Sequence, residues 1–188
     1  MTNEVPTAVD LSPTEDKRDR LLKGPEDMAL AHFTEPRLLV PRLLSHHRES
    51  VIIELSTRLE RTGRIESANA FVEAALDYEA IASAVFDGVT FPLARGMAVG
   101  ELSFAAGLSS QGVRWGAGCA PMVHTVVLFA VPLTEARAHL SLVLTFANFI
   151  KDEMAFTAFR NATQPEEMLA VLKQVCLQRT ALQLAATM

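Results

Sequence analysis

The sequence has little of what marks a disulfide-rich, membrane-spanning or nucleic-acid-binding protein. Its 188 residues include two cysteines, too few for a disulfide framework. The unbroken apolar runs fall far short of the roughly 20 residues that a transmembrane helix needs. The net charge is −5, so no broad basic face for nucleic acid is expected. The polar, acidic start has no apolar signal-peptide core, and together these features predict a cytoplasmic protein without membrane insertion.

Motifs for nucleotides, cofactors and metals are also missing. There is no Walker loop, no G-x-G-x-x-G fingerprint and no G-x-S-x-G nucleophile elbow. His46 and His47 are adjacent and point in different directions on a helix, which argues against a metal pair. Cys119 has no histidine or lysine near it in the sequence and is interpreted as a loop or buried thiol. We therefore predict no cofactor and no metal.

The composition that remains is typical of one globular domain with a tail. Apolar residues make up 49% of the chain and charged residues 21%. Residues 1–40 are predicted to be a flexible tail, poorly packed to about residue 35, because they show little apolar periodicity. A docking arm is the alternative, since apolar residues follow directly. Residues 41–178 are the predicted domain, and residues 179–188 are a C-terminal extension.

Helical periodicity is clearest over residues 46–61, which place four apolar side chains on one face. Further helices are predicted over residues 67–77, 134–150 and 153–160, with a last one from Thr163. The predicted buried stripe of the helix over residues 134–150 consists of Leu140, Val143, Leu144 and Ala147.

Extended segments are predicted over residues 89–92, 101–107 and 122–131. The last of these is rich in Val, Thr and Phe and ends at Pro132, which is typical of a central strand buried on both faces. Gly112 indicates a loop, after which another strand can begin near Val113. Helices and strands interleave, so we predict an α/β (α+β) fold with helices packed on both sides of a mixed central sheet.

The order of these pieces over residues 45–175 resembles the enzyme IIA domain of the sugar phosphotransferase system (PTS), of the fructose–mannitol–nitrogen type (type 2). The matching pieces are the turn at Gly63, the strand Gly88–Arg95, the apolar strand ending at Pro132, the pair His139-Leu140 and the capped helix Thr163–Leu169. The resemblance implies the mannitol-type enzyme IIA fold.

The resemblance also implies where phosphoryl chemistry would reside. In the family, the histidine after Ile-Pro accepts the phosphoryl group on a ring nitrogen, but Leu93 stands there and offers no lone pair. Tyr78 stands where the family has an arginine that balances the phosphoryl charge. His139 matches the family's second, assisting histidine. We therefore expect a site that lacks its acceptor and a chain that is not an enzyme.

Four residues near this position are candidate binding residues: Arg95, His139, Glu79 and Ser83. The forked guanidinium of Arg95 can bind an anion or a carboxylate of a partner, and Glu79 is expected to hold it. Two of them have a structural alternative, namely a surface salt bridge for Arg95 and a hydrogen bond to the loop after Pro92 for His139. His124 is interpreted as a satisfied histidine of the sheet.

The function that the resemblance implies is a regulatory or binding subunit linked to the PTS or to a transporter. Its partner would be a protein, namely a PTS carrier, a transporter or a regulator, and a homodimer stays open. One alternative is an active phosphocarrier for sugar uptake or nitrogen regulation that uses His139 or another residue. Another is a small-anion sensor with Arg95 and His139 as ligands.

Overall fold

The computed structural model describes residues 28–116 and 122–177. Within them, six strands form one mixed sheet in the order β1-β5-β6-β3-β2, and β4 also pairs with β6, beyond the end of β3. The strands are β1 (Leu39–Val40), β2 (Val85–Phe86), β3 (Val89–Thr90), β4 (Leu93–Gly96), β5 (Ser103–Arg114) and β6 (Met122–Pro132).

Strand β6 is the centre of the sheet. It pairs with β5 in antiparallel fashion on one side, and with β3 and β4 in parallel fashion on the other. Its residues from Thr125 to Pro132 are all buried, because helices cover both faces of the sheet. The predicted central strand is therefore confirmed.

Five helices of the described residues pack on the sheet: α1 (Arg48–Arg61), α2 (Ala68–Ala82), α3 (Ala136–Lys151), α4 (Glu153–Arg160) and α5 (Pro165–Leu172). Helices α1 and α2 share one apolar cluster with one face of the sheet, and α3, α4 and α5 share a second cluster with the other face. The predicted fold class is confirmed. No helix within the described ranges is long and apolar enough to cross a bilayer.

Local chemistry sets the helix ends. Helix α1 is followed by Gly63 at φ +73°, a conformation that favours glycine. The hydroxyl of Ser67 accepts a hydrogen bond from the amide of Ala70 at the start of α2. This helix continues to Ala82, five residues beyond the predicted end at residue 77.

The segment before β1 is packed, contrary to the predicted loose tail. Leu30 and Phe33 lie in the apolar cluster beneath α3 to α5. The amide of Leu30 donates to the carbonyl of Val175 at 2.9 Å, and the amide of Leu177 donates to the carbonyl of Met28 at 2.8 Å. The prediction is thus wrong for residues 28–35, which two backbone hydrogen bonds join to the end of the domain. Residues 1–27 and 178–188 lie outside the described ranges.

Strand β5 is one strand of 12 residues, where the sequence indicated a loop at Gly112. Leu108 pairs with Thr125 and Val113 with Val123, so extra residues of β5 bulge out between these pairs. Gly112 has φ +83° within the bulge. The predicted loop and second strand are therefore wrong, because the bulge absorbs the glycine without ending the ladder.

The buried stripe of α3 also differs from the prediction. The side chains that face the sheet include Leu142, Phe146 and Phe149, and the ring of Phe146 packs edge-to-face on Phe104 at 5.1 Å. Leu140 and Leu144 are exposed. The predicted stripe is wrong because the helix carries apolar residues on two faces, and it is the aromatic face that packs in the cluster over the sheet.

Candidate functional site

The candidate site lies where β4 and β6 run side by side toward α3. Leu93 is the register partner of Phe129, and Gly96 is the partner of Pro132, after which the chain enters α3 through a short 3-10 turn. The Leu93 side chain is buried in the same apolar cluster as Phe129. The position that the resemblance assigns to a phosphoryl acceptor is thus an aliphatic core position here.

His139 packs beside the same phenylalanine. Its ring lies edge-to-face on Phe129 with 5.1 Å between centroids, and the residue is only 4% exposed. Neither Nδ1 nor Nε2 has a hydrogen-bond partner among the residues that the structure describes, so the expected bond to the loop after Pro92 is not formed. Burial, and secondarily the positive charge of Arg95, lower the pKa of His139 to about 4. The imidazole is therefore neutral at pH 7.

This pKa predicts a specific acid sensitivity. The folded-state pKa lies below the unfolded value of 6.5, so the unfolded chain binds the proton first and stability is lost as pH falls from 6.5 toward 4. Between pH 7 and pH 4, the unfolding free energy of the unmodified chain should fall by up to about 3 kcal/mol more than that of His139→Phe. Urea unfolding of both proteins at the two pH values measures the difference. Parallel pH profiles would contradict the assigned pKa.

Arg95 lies two residues after Leu93 on β4, opposite Val131, and its side chain is exposed. Its charge acts on His139, which places these two candidate residues in one electrostatic neighbourhood. The predicted ion pair with Glu79 is not among the salt bridges of the described residues. That expectation is wrong because Glu79 is buried and bonded elsewhere.

Glu79 and Ser83 belong to a second polar cluster, with Trp115. The carboxylate of Glu79 accepts a hydrogen bond from the hydroxyl of Ser83 at 2.7 Å and from the indole Nε1 of Trp115 at 2.8 Å, both on Oε2. Glu79 is 3% exposed. The sequence does not predict this bond, since the two partners are 36 positions apart and no local pattern marks them. The cluster fastens α2 to the end of β5.

Removing this acceptor should destabilise the domain. Glu79→Ala leaves the buried indole N–H without its partner and should cost about 1–3 kcal/mol in unfolding free energy. Glu79→Gln keeps a side-chain oxygen and should cost less. Urea unfolding and the emission of the single tryptophan are the measurements. Equal losses for both variants would show that the bond to Trp115 does not carry the effect.

Tyr78 is half-exposed on α2, the helix that packs against β4. His46 and His47 are exposed, and Cys119 lies outside the described residues. Within residues 28–116 and 122–177, no group of three or more His, Cys, Asp or Glu side chains could hold a metal ion. The structure thus brings together Leu93, Arg95 and His139 but leaves Glu79 and Ser83 in another cluster.

The fold and the site define a class of protein: an α/β domain with its candidate site at paired strand ends beside an imidazole. The sequence model of the family described as "Phosphoenolpyruvate-dependent sugar phosphotransferase system, EIIA 2" matches residues 33–175. The chain belongs to this family.

Known proteins agree with this assignment. The chain is 31% identical over 128 residues to the PTS system 2-O-alpha-mannosyl-D-glycerate-specific EIIABC component of Escherichia coli. The aligned region is 66% of this chain but only 20% of that relative's length. The nitrogen regulatory protein IIA-Ntr of Neisseria meningitidis has the same fold, with a TM-score of 0.68 and 19% identity over 76% of the chain and 98% of that structure. IIA mannitol of Escherichia coli gives a TM-score of 0.63 and 20% identity over 74% and 98%.

Proposed function

We propose that this type-2 EIIA chain does not accept a phosphoryl group and acts by binding a protein of the PTS. The observation that carries the proposal is Leu93, which is buried against Phe129 at the position matched to the acceptor. An aliphatic side chain has no lone pair with which to attack a phosphohistidine. The neighbouring His139 is poorly placed to replace it, because its ring is buried edge-to-face on Phe129 and a phosphorylated partner cannot reach it.

The outer surface at the same strand ends supports a protein partner. The pairing of Gly96 with Pro132 places Met97 and Leu133 just beyond two adjacent strand ends, and both side chains are exposed. Leu140 and Leu144 add two exposed apolar side chains, one turn apart on α3. Exposed apolar side chains clustered around a site are typical of a surface that binds another protein. One enzyme IIA of this fold has been solved in complex with phosphorylated enzyme IIB of mannitol transport, and we propose a partner of that class.

The test is phosphoryl transfer from labelled phosphoenolpyruvate through enzyme I and the histidine carrier protein. We expect no label on this chain, while a competent type-2 EIIA protein in the same assay becomes labelled. Calorimetric titration with the histidine carrier protein and with a IIB domain should show binding that Met97→Asp or Leu133→Asp weakens about tenfold. Label uptake by the unmodified chain would overturn the proposal that it accepts no phosphoryl group. Absence of binding to both proteins would overturn the proposal that it binds a PTS protein.

A small-anion sensor is the second candidate function, favoured by the two unpartnered ring nitrogens of His139 beside the charge of Arg95. A neutral imidazole offers one donor, and Arg95 supplies charge-assisted donors. Thermal-shift measurements with phosphate and bicarbonate test this candidate. A shift that Arg95→Gln abolishes would establish it, and no shift would exclude it.

A further inference from the structure

A separate cleft lies at the opposite end of the central strand. His124, near the start of β6, lines this cleft. Leu93 and His139 lie instead beside Phe129, toward the other end of the strand. Five residues separate His124 from Phe129, which corresponds to about 17 Å along an extended strand. The cleft is therefore distinct from the candidate site described above.

Besides His124, three chain segments that are far apart in the sequence build the walls of this cleft. Pro41 and Arg42 follow β1, Leu108 to Ser110 belong to the bulge of β5, and residues 157–163 form the end of α4 and the turn after it. The volume is about 860 Å³, within the range of small-molecule sites. The residues of a β-bulge leave the hydrogen-bond ladder of the sheet, so they can direct backbone and side-chain groups toward a neighbouring cavity.

The cleft is cationic in a chain of net charge −5. Arg42 and Arg160 line it from different walls, and none of the lining residues within the described ranges is Asp or Glu. Neither guanidinium forms a salt bridge with a carboxylate of residues 28–116 or 122–177. The carboxylate of Glu167, in the first turn of α5 just beyond the cleft, accepts hydrogen bonds from Thr163 and the amide of Gln164. Both arginines thus retain their charge for a ligand.

Several polar groups of the cleft are already positioned. The guanidinium of Arg160 lies over the ring of Phe156, with Cζ 5.8 Å from the centroid, which restricts its motion. Nδ1 of His124 hydrogen-bonds the carbonyl of Ser109 at 2.9 Å and so ties β6 to the bulge. Ser109 is 6% exposed and Ser110 lies beside it. The carbonyls of Thr157 and Phe159 at the end of α4 accept from Asn161 and Ala162, so they are paired and not directed at a ligand.

The geometry points to a binding site for a small phosphorylated molecule in this cleft. Two arginines from different segments of the lining provide the forked donors that fit phosphate oxygens, and serine and asparagine side chains add neutral donors. A phosphate group alone would leave most of the volume unfilled. The remaining space, with Leu108 and Ala162 in its lining, suits the sugar or nucleoside part of a phosphate ester.

Calorimetric titration of the full chain tests the site with four probes: inorganic phosphate, a hexose phosphate, a nucleoside monophosphate and the unphosphorylated hexose. We expect at least one ester to bind more tightly than phosphate and the free hexose not to bind. Arg42→Gln should weaken ester binding at least tenfold, which is about 1.4 kcal/mol, and Arg160→Gln should do the same. Because Arg42 is exposed, its variant is expected to fold even where loss of the Arg160–Phe156 contact destabilises the other.

One charge-matched control and one comparison variant fix the location. Arg61→Gln removes an exposed arginine from the end of α1 and should not change ester binding. Arg95→Gln separates the cleft from the anion site beside His139, because only a ligand bound beside His139 depends on Arg95. Equal weakening by Arg61→Gln would show unspecific attraction and overturn the proposal. If Arg95→Gln alone abolished ester binding, the ester would bind beside His139 and not in the cleft, which would likewise overturn the proposal. No binding by any probe up to about 10 mM would also reject the cleft as a site. None of these outcomes depends on whether the chain accepts a phosphoryl group.

Discussion

Leu93→His alone is expected to take up little or no phosphoryl label, whereas Leu93→His combined with Tyr78→Arg is expected to recover a measurable trace. The single change supplies a ring nitrogen but places it in an apolar cluster beside Phe129, and it leaves Tyr78 at the position where the resemblance expects the arginine that balances the phosphoryl charge. Tyr78 lies on α2, which packs against β4, and it is exposed enough to be replaced by a long cationic side chain. The measurement is acid-labile label transferred from the phosphorylated histidine carrier protein.

A matched control separates a local charge from a general one. Ala80 is also exposed on α2, but two residues away from Tyr78 and so on another side of the helix. Leu93→His combined with Ala80→Arg should therefore recover nothing. Stoichiometric labelling of the unmodified chain that His139→Ala abolishes would refute the hypothesis of a missing acceptor and would establish an active phosphocarrier.

The parts of the fold that the sequence predicted are those in which one segment carries its own signal. The apolar run of β6 and the four apolar side chains of α1 each require burial whatever surrounds them. The packing of residues 28–35 has no such signal. It depends on backbone hydrogen bonds with Val175 and Leu177, at the other end of the domain, and such long-range pairing leaves no local periodicity.

The candidate site shows the same division. Leu93, Arg95 and His139 were predicted to lie near one another because the resemblance supplied the order of strands, and the register of β4 on β6 accounts for their neighbourhood. The Glu79–Trp115 bond and the two arginines of the cleft could not be predicted. The bond joins residues 36 positions apart, and the two arginines come from segments more than 100 positions apart, so residue spacing reveals neither arrangement.

Truncating one leucine on each face of helix α3 tests which face packs on the sheet. Leu142 is fully buried and Leu144 is 45% exposed, although both are leucines in the same helix. Leu142→Ala should cost roughly 2–5 kcal/mol in unfolding free energy, because it removes apolar contacts and leaves a cavity beneath the aromatic cluster. Leu144→Ala should cost less than about 1 kcal/mol, since water already reaches the side chain.

Urea unfolding at neutral pH measures both changes, and each variant serves as the control for the other because helix propensity changes equally in the two. Two residues along a helix correspond to a rotation of about 200°, so no small rotation of α3 can bury both leucines. A larger cost for Leu144→Ala would mean that α3 presents its opposite face to the sheet. His139 would then also leave Phe129, since it shares the buried face with Leu142 and Phe146. The stability of two alanine variants therefore tests the geometry on which the proposed function rests.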